Sequence, residues 1–295
     1  MSREQNRIKV WVEAMRLRTL PVSTAGVITA VALTGIYGCF KVLPSLLCLL
    51  FAILAQISSN FANEYFDYRD GLDKPGREGP RRGVTEGDIT PGAMLRATIV
   101  SLAAACAIGC TLIIWGGWEL VPVGLAITAG VFAYSAGPYP LSHHALGEVG
   151  VVIFFGIVPV NMTYYIMGHQ FGIAIFMVSL AVGLMGANIL LVNNYRDIDD
   201  DRAVGKHTLA TVFGARVATT LYLLNGWIAV ALASPLLIEL PWAIWIAPAL
   251  YLGCHTTLWC SLLRLKGREL NRLLGMTAFN MLAFSLIFAL IVFAY

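Results

Sequence analysis

The sequence predicts an all-α protein: a polytopic membrane helical bundle of about nine transmembrane helices with its N-terminus cytoplasmic. Three observations predict it. Hydrophobic residues make up 58% of the 295-residue chain and charged residues 13%. Ordinary soluble domains run at roughly 45–50% and about 25%, so lipid is the solvent in which the periodicity must be read. Apolar windows of about 20 residues, the length a helix needs to cross the hydrocarbon core, recur along the chain. Finally, every one of the 20 Lys and Arg residues except Lys41 falls in alternate gaps between those windows.

Taken in order, the windows are 20–38, 42–62, 97–116, 119–136, 147–167, 171–192, 216–235, 240–263 and 273–294. The segment ahead of the first carries Arg3, Arg7, Lys9, Arg16 and Arg18 with acids among them. It lacks a compact apolar run before a small-residue cleavage site, so it is expected to belong to the mature protein. The gap after the second window holds Arg69, Lys74, Arg77, Arg81, Arg82 and Arg96; the gap after the sixth holds Arg196, Arg202, Lys206 and Arg216. The gap after the eighth holds Arg264, Lys266, Arg268 and Arg272. The intervening connections are short and nearly uncharged. A Lys/Arg excess marks cytoplasmic loops, which predicts a multi-pass protein of the cell's inner (cytoplasmic) membrane, working at its cytoplasmic face. The six cysteines sit in or beside apolar runs with no CxxC pair, and the five histidines show no ligand spacing, so neither suggests a metal or haem centre.

The two long polar gaps begin alike. NFANEYFDYRDGLDKPGREGPRRG runs from Asn60 to Gly83, and NNYRDIDDDRAVGKHT from Asn193 to Thr208. Both contain N-x-x-x-D, as Asn63/Asp67 and Asn193/Asp197, which suggests one domain, 1–295, with two related halves of about 1–145 and 146–295. Residues four apart share a helix face, so Asn63 projects with Asp67, and Asn193 with Asp197 and Asp201. Asp70 and Asp73 follow one and two turns on, although Gly71 and Pro75 predict that the helix stops near there. Charge at the mouth of a membrane bundle is costly unless paired, hydrated or metal-bound. Carboxylate and amide oxygens suit Mg²⁺, which takes one or two carboxylates and completes its shell with water and phosphate oxygens. Asn63, Asp67, Asp70, Asp73, Asn193, Asp197 and Asp201 are therefore the candidate metal ligands. Lys74, Arg77, Arg81, Arg82, Arg196, Arg202 and Lys206 interleave with them and are the candidate diphosphate ligands. Asp199 and Asp200 turn away from the Asn193 face. The residues leave a transporter with an acidic gate open as a second reading. Transporters, however, place binding residues near the midplane at broken helices, whereas these acids lie at span ends.

These motifs resemble the UbiA superfamily of intramembrane prenyltransferases over nearly the whole chain. The first is matched by Asn63, Asp67, Asp73–Lys74–Pro75, Gly79–Pro80 and Arg82–Gly83, and the second by Asn193–Asn194, Arg196–Asp197, Asp201–Arg202, Gly205–Lys206 and Thr208–Leu209. Arg16 to Pro21 and the stretch 137–156 agree with flanking segments of the family. The hydroxybenzoate branch has Y-x-x-x-K ahead of the fifth helix; here Tyr134 is followed by Pro138, and no Lys lies between Lys74 and Lys206. That departure points to the branch acting on 1,4-dihydroxy-2-naphthoate in menaquinone biosynthesis. The resemblance implies an enzyme that ionises an allylic polyprenyl diphosphate and passes the chain to an aromatic ring, with loss of the acceptor carboxyl as CO₂. It implies Asp67, Asp73, Asp197 and Asp201 as catalytic residues holding two Mg²⁺ ions that bridge the diphosphate. Arg18, Gln56, Asn60, Tyr134 and Tyr139 are candidates for holding the acceptor. Acceptors such as hydroxybenzoate, homogentisate or a porphyrin or chlorin ring stay open. The expected partners are the two substrates and the lipid bilayer, with no nucleic acid.

Overall fold

The structure, a computed structural model, describes residues 3–73 and 79–294; the predicted diphosphate ligands Lys74 and Arg77 lie outside the described residues. Apart from one bridge between His144 and His207, the described secondary structure is helical. An N-terminal helix α1 (Arg3–Ala14) precedes α2 (Leu20–Ile36), α3 (Val42–Arg69), α4 (Pro91–Gly116) and α5 (Leu120–Ala133). Then come α6 (Gly147–Gly168), α7 (Ile173–Arg196), α8 (Ala215–Ile238), α9 (Ile246–Leu262) and α10 (Leu270–Ala294). A helix thus occupies every apolar window. Among the described residues, seven helical stretches are long and apolar enough to cross a membrane: Ile8–Ile36, α3, α4, α6, α7, α8 and Gly267–Ala294. The other two windows hold shorter helices. With 14 residues, α5 is about 21 Å long, short of the roughly 30 Å hydrocarbon thickness.

Local chemistry sets the ends that matter. Thr90 caps α4 by accepting the Ala93 N–H at 3.3 Å, with Pro91 at the first helical position, where its missing N–H costs nothing. At the other end of the preceding helix, Gly71 takes a left-handed φ of 72°. This lets the Leu72 N–H bond the Asp67 carbonyl at 2.9 Å, a Schellman-type stop. The helix therefore stops at Arg69, and Asp73 folds back instead of continuing along the helix.

The chain closes into a bundle because α10 packs along α2, pinned by a Thr29 to Ser285 hydroxyl bond of 2.9 Å. The main core runs through α2, α7, α8, α9 and α10, around Leu33, Met185, Leu191, Tyr222, Leu237 and Phe288. A smaller core (Val10, Ala14, Phe61, Val84, Ile89 and Met94) seats α1 and the loop 79–90 against α3 and α4.

The fifth window is not a uniform helix. Val152–Ile157 is a π-helical turn within α6. Pro159 breaks the regular ladder there: proline has no N–H and its ring crowds the carbonyl four residues back, here that of Phe155. The Phe155 carbonyl turns instead to α2, where a Cβ on Gly26 would stand 2.9 Å from it. The next residue, Gly156, lies directly against Gly183 and Ser179 of α7, leaving no room for a side chain. Small residues at such crossings let membrane helices approach closely.

Candidate active site

The ends of α3 and α7 converge on a cavity of about 490 Å³, bordered by α1, α2, the loop 79–82, Tyr134, the start of α6 and α10. Its wall includes Asn63, Asp67, Arg81, Arg82, Asn193, Arg196 and Lys206 from the two motifs. Because α3 remains helical through Arg69, Asn63 and Asp67 share its inner face as their spacing requires.

The first motif is a dense buried network. Arg82 is 7% exposed; its Nε stands 3.1 Å from Asp73 Oδ2 and its Nη2 3.7 Å from Asp67 Oδ2. The same Nη2 donates to Asn63 Oδ1 at 3.3 Å, and Arg16 Nη2 donates to that oxygen at 2.8 Å. Asn63 in turn donates to the Ser135 hydroxyl at 2.9 Å. Glu64, on the adjoining face of α3, accepts the Val84 N–H at 3.1 Å and so fixes the loop that presents Arg82. Arg16 holds a left-handed backbone, φ 50°, an uncommon state for a residue with a Cβ and one that aims its guanidinium at Asn63. Asp70 is not part of this network. As the residue after the last helical turn it is half-exposed and pairs with its neighbour Arg69 at 2.8 and 3.3 Å.

The second motif is equally buried. Arg196 grips Asp197 in a two-pronged pair, 2.7 Å on each oxygen, and also donates to Asn193 Oδ1 and Asn271 Oδ1 at 2.8 Å. Its three nitrogens are thus all engaged with protein oxygens, so it sets the positions of Asn193 and Asp197 where the sequence suggested a phosphate ligand. Lys206 Nζ stands 3.7 Å from Asp201 and lines the cavity. Arg202 does not: it is half-exposed and faces solvent-exposed Asp199 at 3.8 Å. Arg81 lines the cavity rim while paired with Asp88.

Of the expected acceptor residues, Arg18, Gln56, Asn60 and Tyr134 line the cavity. Gln56 and Asn60 bond one another at 3.1 Å and both donate to the Thr19 hydroxyl. Tyr139 is placed elsewhere; 58% exposed, it stacks on His144, ring centroids 3.5 Å apart. Sequence reasoning gave no site role to Arg16, Glu148, Asn194, Ser142 or Asn271, all on the cavity wall. For Glu148 there was a usable signal, an acid inside an apolar window.

Gln56, Ser59, Tyr134 and Phe155 also border a second cavity of about 320 Å³. This one is lined almost wholly by apolar side chains of α2 to α6, among them Phe51, Ile113, Val131, Phe154 and Met162. A polar chamber thus adjoins an apolar one across four shared residues.

The donor set fits Mg²⁺. Among the described residues no three His, Cys, Asp or Glu side chains gather at one point. Each motif instead supplies carboxylate and amide oxygens in ones and twos, as an ion sharing phosphate oxygens requires. Asp67, Asp197 and Asp201 are 4%, 3% and 7% exposed.

Comparison with known proteins agrees with this architecture. Residues 23–284 match the UbiA prenyltransferase family. A 1,4-dihydroxy-2-naphthoate octaprenyltransferase of Escherichia coli (strain K12) is 38% identical over 217 residues, 71% of this chain and 70% of the relative. One of Mycobacterium tuberculosis is 33% identical over 236 residues, 79% and 80% of the two chains. A UbiA homolog from Archaeoglobus fulgidus, solved bound to DMAPP and Mg²⁺, has the same fold, with a TM-score of 0.65 over 95% of this chain and 99% of its own at 16% identity. The chain is a multi-pass membrane protein and belongs to the UbiA prenyltransferase family.

Proposed function

We propose that this enzyme transfers a polyprenyl chain from an allylic polyprenyl diphosphate to 1,4-dihydroxy-2-naphthoate, releasing diphosphate and CO₂ and giving demethylmenaquinone in its reduced, quinol form. The observation that carries the reading is the pair of adjoining cavities. A chamber walled by acids, amides and bases suits a metal–diphosphate group, and the apolar chamber beside it suits an isoprenoid chain. The relatives named for the naphthoate reaction support the acceptor. The missing Lys of Y-x-x-x-K supports the same branch.

Asn63, Asp67 and Asp73 on one side, and Asn193, Asp197 and Asp201 on the other, would hold two Mg²⁺ ions. When bound, they supply Lewis-acid neutralisation and orientation of the leaving diphosphate. Arg81, Arg82 and Lys206 line the same chamber and give N–H donors to the phosphate oxygens as negative charge builds on them. Tyr134 and Phe155 sit where the chambers meet and present aromatic faces to the allylic carbon as it becomes cationic. The apolar wall keeps water from that carbon. Nine membrane crossings, an inner-membrane location and a cytoplasmic site complete the reading, supported by the confinement of Lys and Arg to alternate connections.

Purified protein given isotope-labelled prenyl diphosphate, Mg²⁺ and a panel of aromatic acceptors tests this. The expected product is prenylated naphthoquinol with labelled CO₂ from carboxyl-labelled dihydroxynaphthoate; a preference for another ring reassigns the acceptor. Asp67→Ala and Asp197→Ala should each lower kcat by about 10²–10³-fold or more while the protein still inserts. Near-normal turnover in both variants removes the metal site from these residues.

A further inference from the structure

Outside the two acidic motifs and their cations, the wall of the polar cavity holds buried polar atoms with no hydrogen-bond partner among the described residues: Gln56 Oε1, Ser142 Oγ and Glu148 Oε2. The charged one decides the chemistry. Glu148 is 7% exposed, on the first turn of α6. Its other oxygen, Oε1, accepts from Asn194 Nδ2 at 2.8 Å. Asn194 directly follows Asn193 of the second acidic motif, so α7 fixes this carboxylate from the same turn that carries the metal-side residues. Among the described residues no Lys or Arg pairs with Glu148, unlike Asp67, Asp73, Asp197 and Asp201. Tyr134 stands beside it: a Cβ on Gly147 would lie 3.7 Å from the Tyr134 hydroxyl.

An ionised carboxylate only accepts hydrogen bonds, and a buried one repels anions. Oε2 therefore matches neither diphosphate nor prenyl chain, and it matches a ligand that brings an O–H. Resting on the prenyl-transfer reading above, we infer that Glu148 binds a ring hydroxyl of the aromatic acceptor and takes its proton as the carbon–carbon bond forms. The hydroxyl next to the carboxyl-bearing carbon hands its proton to Oε2, and its O–H pair becomes the second bond of a ring carbonyl. A ring π pair makes the new bond from the carboxyl-bearing carbon to the allylic carbon. The pair of the breaking C–O bond leaves with diphosphate. When the carboxyl departs as CO₂, its bonding pair restores the aromatic ring, and the carbonyl oxygen recovers the proton from Glu148. No net proton is consumed. The acceptor is also oriented: its hydroxyl meets the Glu148 wall, and its own carboxylate is driven towards the cavity's cations, Arg16 and Arg18 among them.

The test compares wild type, Glu148→Gln and Glu148→Asp for kcat, for donor and acceptor KM, and for slow diphosphate release in the absence of acceptor. It uses whichever phenolic acceptor the wild-type enzyme turns over. A wrong acceptor assignment therefore alters the wild-type result, whereas a wrong role for Glu148 alters only the variants. E148Q preserves the bond from Asn194, and its kcat should fall about 10²–10⁴-fold, the range of a lost acid–base group. Its donor KM and acceptor-free diphosphate release should stay at wild-type levels, and E148D should recover part of the loss. Full kcat in E148Q overturns the inference. So does an equal loss of acceptor-free diphosphate release, which would place Glu148 with the metal–diphosphate machinery instead.

Discussion

His143 sits in the connection leading into α6, half-buried, its Nε2 without a hydrogen-bond partner among the described residues. Burial, reinforced by the nearby Lys206 charge, lowers its pKa to about 4. The fold thus accepts the neutral ring. Above about pH 6.5 folded and unfolded chains hold the same proton count at this residue. As pH falls from there towards about 4, the unfolded chain takes up a proton that the folded connection refuses, and stability drains away across that window. Between about pH 7 and about pH 4.5, His143→Asn should lose less thermal stability in detergent than wild type does; parallel curves would rule the residue out. The same scale shows what spacing can and cannot reveal. Asn63 with Asp67, and Asn193 with Asp197, were legible because a helix puts residues four apart on one face. Arg16 and Asn271 were not, because each reaches the cavity only through packing of the segment before α2, and of α10, against other helices. Arg196 reads as a phosphate ligand by its neighbours in sequence, yet the fold turns it inward on Asp197.

At the level of elements, every apolar window contains a helix, but the windows mark where hydrophobicity ends, not where helical hydrogen bonding ends. α3 and α7 continue into the polar motifs, through Arg69 and Arg196, which is what carries Asn63, Asp67 and Asn193 to the cavity wall on rigid supports. The interrupted geometry of α6 has a visible cause in Pro159, although the proline alone does not specify a π turn. Its contact with α7 is testable. In an open helix, Gly→Ala gains about 1 kcal/mol of helix propensity. At Gly156 the new methyl would run into Gly183 and the Ser179 carbonyl, and overpacking of this kind costs about 1–3 kcal/mol. Gly156→Ala should therefore lower the unfolding midpoint in detergent. Gly124→Ala in α5, where nothing lies within 4 Å of an added Cβ, should hold or raise it. A Gly156→Ala variant as stable as wild type would mean that α6 and α7 have slack at their crossing.

Across the whole molecule, the proposed function gives the two chambers different parts of prenyl transfer, charge handling in the polar one and chain accommodation in the apolar one. Narrowing only the apolar chamber should therefore change donor length preference without touching the acid motifs. Ala55→Phe, on its wall, should cut kcat/KM for long polyprenyl diphosphates by about tenfold or more while sparing dimethylallyl diphosphate. Equal losses across donor lengths would argue that the chain lies elsewhere. The bridge between His144 and His207, with the Ala145 N–H on the His207 carbonyl at 2.7 Å, ties the connection before α6 to the one after α7. The π turn of α6 does something different, which is best stated as angular phase. One added residue in a helix turns everything beyond it by about 100°. Below the turn, Glu148 must face Asn194 and the polar chamber; above it, Pro159 and Met162 must face the apolar one. No unbroken 3.6-residue winding is obliged to satisfy both. The extra residue acts as a gear between two fixed bearings, giving each end of one helix its own heading.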